Sequence, residues 1–383
     1  MPKNKRPVPR KSAAPAQQDD DALAQALAAL ALELAEQEEG DAAALRLKED
    51  ELDKQVRNAL RKKKDDVLYG AIELARFDDV GAYALLREHI EEAAATVVLR
   101  REGAPAMEIN AFAVPLFVHS DGGLQEADGF QDGDAFDALV HSFQLGGLES
   151  PDAKVVMVSH AYDLDEVDAV SYSHLNEMLR DAAASMSDMR LIANPALERS
   201  ISGWRTGDFA PGDKAVELRF LLGFALKRAD DPFYTAPSGE AEADAWFAAR
   251  MARYRAWTVG AAPLVARCLA RDPAAVAVHF LYQDLFYGAK EQGMAELAML
   301  RMMSGVTAAL DTAGVAPQQA SAEVGAAAAG DELVLRVRLL APGGALLATL
   351  DKPLDVAADL QGEEDDLCDA LGSIGVRAAP VAE

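Results

Sequence analysis

The sequence predicts an α+β (mixed α/β) protein: a helical N-terminal region followed by a body of two β-α-β-α-β-like halves with a C-terminal β-hairpin. Three observations carry that prediction. Leucines recur at helical spacing through the first hundred residues, apolar runs of strand length alternate with helical stretches from residue 96 onward, and two apolar runs near residue 340 flank a Pro-Gly-Gly turn.

Composition narrows the function classes. Of 383 residues, 63 are acidic and 37 basic, a net charge of −26, and half are hydrophobic but only 6% aromatic. Such a charge repels phosphate backbones, so nucleic acid is not an expected partner. Cys268 and Cys368 lie far apart, with no CxxC, no zinc spacing and no disulfide framework, which suits a reducing compartment. At about 150 residues per domain the length suggests two or three domains, or one large domain with a helical arm.

Residues 1–18 combine Lys3, Lys5, Arg6, Arg10 and Lys11 with Pro2, Pro7, Pro9 and Pro15, and are expected to form a disordered basic tail. Residues 19–95 follow as a helical region. Asp19, Asp20 and Asp21 suit a helix N-terminus, and Leu23, Leu27, Leu30 and Leu34 form one stripe behind them. The apolar run from Ala22 to Ala35 is too short and too interrupted by Gln25 and Glu33 for a membrane span or signal core. Gly40 and Asp41 break the helix, and Leu45, Leu52, Val56 and Leu60 mark a second one ending in the basic cluster Arg61 to Lys64. Val67, Leu68, Ile72 and Ala75, then Tyr83, Leu86 and Ile90, mark two more.

The first α/β half spans 96–202. Thr96 to Leu99 and Ile109 to His119 read as strands, with Pro115 making the second an edge strand or a bulged one. Asp134 to Leu145 reads as helix, Lys154 to His160 as strand, Asp165 to Met186 as helix, and Met189 to Ala193 as strand, before a loop over 194–213. The second half spans 203–356, with strands at Val216 to Leu226 and Ala274 to Tyr282 and long helices at Glu240 to Leu269 and Asp284 to Thr312. Glu332 to Leu340 and Ala345 to Leu350 then form the hairpin. Residues 357–383 are an acidic C-terminal segment, in which Glu363 to Asp366 open a helix rather than a calcium loop.

Nucleotide loops of the GxGxxG or GxxxxGK[ST] kind are absent, as is a GxSxG elbow. The strongest coincidence is that two predicted strands end alike. His119 and Asp121 follow one, and His160 and Asp163 follow the other. At the carboxyl ends of neighbouring strands, imidazole and carboxylate together can hold a metal ion or work as base and orienting acid. Turn chemistry after a strand, with Asp165 as the following helix N-cap, accounts for these segments without any site.

Layout and the residues Phe280, Leu281, Phe286, Tyr287 and Ala289 give the chain a resemblance to a bacterial domain-of-unknown-function family over residues 65–355. The resemblance implies a bacterial cytoplasmic protein and no catalytic residues. The sequence thus reads as a non-enzymatic, soluble protein with an interaction or scaffold role. It needs no cofactor, avoids membranes, and reaches a protein partner through the N-terminal helices at Leu23, Leu27, Leu30 and Leu34. The competing reading is a metal-assisted hydrolase using His119, Asp121, His160 and Asp163.

Overall fold

A computed structural model describes residues 15–36, 42–100, 102–120, 130, 132–186, 216–330 and 332–380. The chain divides between residues 94 and 95 into two units.

In the first unit the leucine stripes become the seams of a helical assembly. The helices are α1 (Pro15–Ala35), α2 (Ala42–Arg61), α3 (Asp65–Asp78) and α4 (Val80–Ala95). Helix α1 starts at Pro15, whose fixed φ suits a first helical position. Residues 15–18 therefore belong to the helix and not to the expected tail, and Asp19 to Asp21 lie inside it instead of capping it. The rest of that tail lies outside the described residues. Helix α1 packs on α3 and α2, with Leu27, Ala31 and Leu34 buried. Leu52, Val56, Leu68, Leu86 and Ile90 are buried from the other three helices. Lys64 reaches Asp20 at 2.5 Å, tying the α2–α3 turn to the start of α1, and His89 lies 3.2 Å from Asp53.

The second unit begins with β1 (Thr96–Leu99) and β2 (Met107–Ser120), then α5 (Gly133–Leu145), β3 (Lys154–Tyr162), α6 (Leu164–Asp168) and α7 (Tyr172–Met186). The expected strand at 189–193 and loop at 194–213 lie outside the described residues. Next come β4 (Val216–Arg228), α8 (Glu240–Leu269), β5 (Val276–Phe280), β6 (Asp284–Leu285) and α9 (Phe286–Ala313).

Strands from both expected halves, β1 to β3 and β4 to β6, share one sheet. Its order is β1-β2-β4-β3, every pairing is antiparallel, and β1, β6 and β5 follow one another along the outer side of β2. Pro115 accordingly sits in a central strand, where an edge or a bulge was expected. Its carbonyl accepts from the Leu281 N–H, and a strand residue's N–H and C=O point to the same side. The missing N–H thus faces the gap between β5 and β6, where no ladder partner is lost.

Alternation puts Phe112, Val114, Leu116 and Val118 on one face of β2, packed with Leu139, Phe143, Tyr254 and Trp257 from α5 and α8. Helices α7 and α9 cover the opposite face. Gly223 of β4 pairs directly with Phe112, and a Cβ built there falls 2.1 Å from the Phe112 ring. Gly223→Ala should therefore cost about 1–3 kcal/mol through overpacking. Urea denaturation checks this, and the cost should shrink in a Phe112→Leu background; an unchanged midpoint would show that the ring moves aside without strain.

The chain ends in a second sheet of β7 (Ser321–Ala329), β8 (Glu332–Leu340), β9 (Leu346–Pro353) and β10 (Arg377–Pro380), ordered β10-β7-β8-β9, with α10 (Leu360–Ser373) between β9 and β10. The hairpin turn uses Gly343 and Gly344 at φ 95° and 87°, left-handed values that favour glycine. Residues 357–380 join this sheet, with Leu367, Leu371 and Val376 buried against its Val324, Val337 and Leu339. Helix α9 spans both sheets. Its Gly293 lies against Phe220 of the first, and its Met302, Val306 and Leu310 pack in the second.

Candidate functional site

The paired strand ends are separated by β4. His119 is in register with Val216, at the start of β4, whereas Tyr162 at the end of β3 is in register with Phe220. Those positions differ by about 13 Å along the strand and by two strand spacings, about 9.5 Å, across it. His119 is half-buried, and Asp121 lies outside the described residues. Among the described residues, no group of three or more His, Cys, Asp and Glu side chains is placed to hold a metal ion.

His160 and Asp163 do come together, in a buried polar cluster where β3 turns into α6. Asp163 is the helix N-cap. Its side chain accepts from the Glu166 N–H at 2.8 Å, and the Glu166 side chain accepts from the Asp163 N–H at 3.1 Å, a reciprocal capping box. The same Glu166 oxygen lies 3.3 Å from His160 Nε2, and His160 is 4% exposed. The His160 ring meets Tyr162 edge-on, with centroids 4.4 Å apart. The other Glu166 oxygen is buried with no hydrogen-bond partner among the described residues.

Beside this box stands Arg219 of β4, 1% exposed. Its guanidinium donates to Glu217 at 2.7 and 3.2 Å and lies 3.6 Å from Asp163. A buried arginine held between two carboxylates locks the β3–α6 turn onto β4. The sequence signalled Asp163 as a strand-end residue but not Arg219, whose apolar neighbours conceal it. Chemically the cluster is a set of caps and ion pairs around one imidazole.

A second cluster lies at the opposite end of β4. Glu149 is buried in the α5–β3 connection, and its carboxyl oxygen accepts from the Tyr234 hydroxyl at 2.5 Å. Burial pushes the Glu149 carboxyl above its ordinary value of 4.5, against the opposing pull of the Tyr234 hydrogen bond, Lys227 and Arg250. No local motif pointed to this pair.

A third feature is an open cleft of about 570 Å³ between the start of α5 and the end of α8, lined by Asp132, Gly133, Arg267, Cys268 and Arg271. Asp132 caps α5 and pairs with Arg267 at 2.8 Å. Burial pushes the Cys268 thiol up to about 12, which leaves it protonated and unreactive near neutral pH.

The predicted partner stripe is largely internal. Leu27 is 0% and Leu34 7% exposed, while Leu23 and Leu30 are half-buried. Among the described residues, the large apolar side chains facing outward on the helical unit are others: Phe77 at 85%, with Tyr69, Leu74 and Val80 near it in sequence, and Leu47 at 70% on α2. Sequence reasoning missed them because a lone phenylalanine after Arg76 breaks the inward pattern of Leu68, Ile72 and Ala75 without forming a stripe of its own. No family model, curated protein or solved structure matches this chain, and no described helix is long and apolar enough to cross a membrane.

Proposed function

We propose that this protein is a non-catalytic interaction protein whose helical unit docks a cationic amphipathic helix of a partner on the outer face of α3. The observation that carries the reading is Phe77. Its ring is 85% exposed and is accompanied by exposed Tyr69, Leu74 and Val80, and gathered apolar surface of this kind marks an interaction site. Tyr69, Glu73 and Phe77 are spaced i, i+4, i+8, so they form one row on the helix, with Leu74 and Val80 beside its end.

The chemistry of the partner follows from the surrounding charge. Glu73 lies within the row and Asp66, Asp78 and Asp79 flank it, with Arg76 as the one cation within α3. A helix carrying apolar residues on one face and Lys or Arg on its margins complements that pattern, and the net charge of −26 speeds its encounter. The docking surface is thus shifted from the leucines of α1 to α3. Metal-assisted hydrolysis has less support, because its two histidines are held apart by β4 and the imidazole of His160 is engaged by Glu166. We place the protein in the bacterial cytoplasm, a reading supported by its two free cysteines.

Phe77→Asp tests this reading. Stability should change by no more than about 0.5 kcal/mol, since the ring is exposed. Binding of a synthetic Leu/Lys amphipathic helix, followed by isothermal titration at moderate salt, should weaken at least tenfold. Phe247→Asp, at a 59% exposed ring on α8, should leave it unchanged. Equal weakening by both variants would reduce the effect to bulk charge, and no weakening by the first would remove α3 as the docking surface.

A further inference from the structure

Residues 1–14, which precede α1, carry Lys3, Lys5, Arg6, Arg10 and Lys11 and no acidic side chain. The helices they lead into are charged the other way. Residues 15–94 hold 20 acidic and 10 basic side chains, and four of the acids, Asp66, Glu73, Asp78 and Asp79, stand in or beside the exposed row of Tyr69 and Phe77. One chain thus holds a cationic segment and an acidic, apolar surface that complements it.

The packing of α1 sets where that segment starts. Lys64 meets Asp20, a Cβ built on Gly70 falls 3.9 Å from the Ala24 Cβ, and one built on Gly81 falls 3.7 Å from the Ala35 Cβ. These contacts rise together in both directions of numbering, so α1 runs parallel to α3 and begins at the N-terminal end of α3. From Pro15 to the level of Phe77 is about 27 Å along the helix axes at about 1.5 Å per residue, and stepping from one helix to the next adds about 10 Å. Fourteen extended residues at about 3.1 Å each span about 43 Å, enough to cover the whole row.

The order of residues also suits the surface. Ser12, Ala13 and Ala14 carry no charge and fall beside the basic turn of Arg61 to Lys64. An extended path beyond them brings Lys11 and Arg10 level with Asp66 and Tyr69, Pro9, Val8 and Pro7 between Tyr69 and Phe77, and Arg6 and Lys5 level with Asp78 and Asp79. Proline in the extended polyproline conformation packs on aromatic side chains at little cost in ordering.

We propose that residues 1–14 occupy the α3 surface of their own chain and compete with the partner's helix for it. The inference rests on the reading of α3 as the docking surface and adds a tethered competitor to it. Pro2, Pro7 and Pro9 keep the segment from forming an amphipathic helix, so it holds the site weakly and a helical partner displaces it. The tether keeps its effective concentration on the order of millimolar, whatever the protein concentration.

Two measurements on the full chain test this. The quadruple variant Lys5→Ser, Arg6→Ser, Arg10→Ser and Lys11→Ser should bind the synthetic Leu/Lys helix at least about threefold more tightly at moderate salt. The same four changes in the Phe77→Asp background should bring no such gain, because the surface they uncover is already lost. Zero-length amine–carboxyl crosslinking of dilute protein should join Lys3, Lys5 or Lys11 to Asp66, Glu73, Asp78 or Asp79 within one chain. Unchanged affinity in the quadruple variant, an equal gain in both backgrounds, or crosslinks from these lysines only to acids elsewhere would overturn the proposal. The two readings fail separately. Weakening by Phe77→Asp with no gain from the quadruple variant leaves partner docking standing and removes the competitor, whereas crosslinks to α3 with no weakening by Phe77→Asp remove the partner and the competition with it.

Discussion

Leu27→Asp should unfold the helical unit. Leu27 is 0% exposed in the seam that α1 presents to its neighbours, together with Ala24, Ala28, Ala31 and Leu34. Truncating a buried leucine costs about 2–5 kcal/mol, and a carboxylate left in the cavity without a partner adds several more. The total approaches the whole stability of a unit this size, about 5–10 kcal/mol. Leu30→Asp, at a half-buried position one turn on, should cost much less.

Two probes separate the outcomes. All three tryptophans, Trp204, Trp246 and Trp257, lie beyond residue 95, so tryptophan fluorescence reports on the second unit while circular dichroism sees every helix. Leu27→Asp should remove helical signal and expose residues 19–94 to protease. If it left both unchanged, α1 would not be packed by this seam, and its leucine stripe would again become the candidate docking surface in place of α3.

The helices were legible because their pattern is local. Leu52, Val56 and Leu60, or Leu86 and Ile90, declare a buried face within a few turns, and the structure buries each of them. Strands β2, β3 and β4 were legible as apolar runs for the same reason. Strand order was not, since a continuous apolar run fits a buried strand in either direction and beside any neighbour. Inserting β4 between β2 and β3 depends on pairings such as Val114 with Leu221, which span about a hundred residues. Strand β7 escaped because SAEVGAAAA has a single β-branched residue; its burial comes from Val324 and Ala322 meeting α9 and α10. The candidate sites divide in the same way. Asp163 was visible as a strand-end residue, while Glu149 and Tyr234 stand 85 positions apart and meet only after folding.

Arg219→Ala should cost the second unit about 3–5 kcal/mol, because it leaves Glu217 and Asp163 facing each other without the cation that both approach. Arg219→Met should cost less, since it keeps most of the packed volume around a side chain that is 1% exposed. The difference between the two separates packing from charge. A double-mutant cycle isolates the charge further. Glu217→Gln alone removes one partner of the pair, and in the Arg219→Met background it also removes a carboxylate that has lost its cation, so the double variant should be more stable than the sum of the single losses predicts. Chemical denaturation followed by tryptophan fluorescence measures all four proteins. Strict additivity would mean that Arg219 is held beside Glu217 by packing alone. Positive coupling would show that the buried Arg219–Glu217 ion pair fixes the guanidinium at the position from which it reaches Asp163 of the β3–α6 turn.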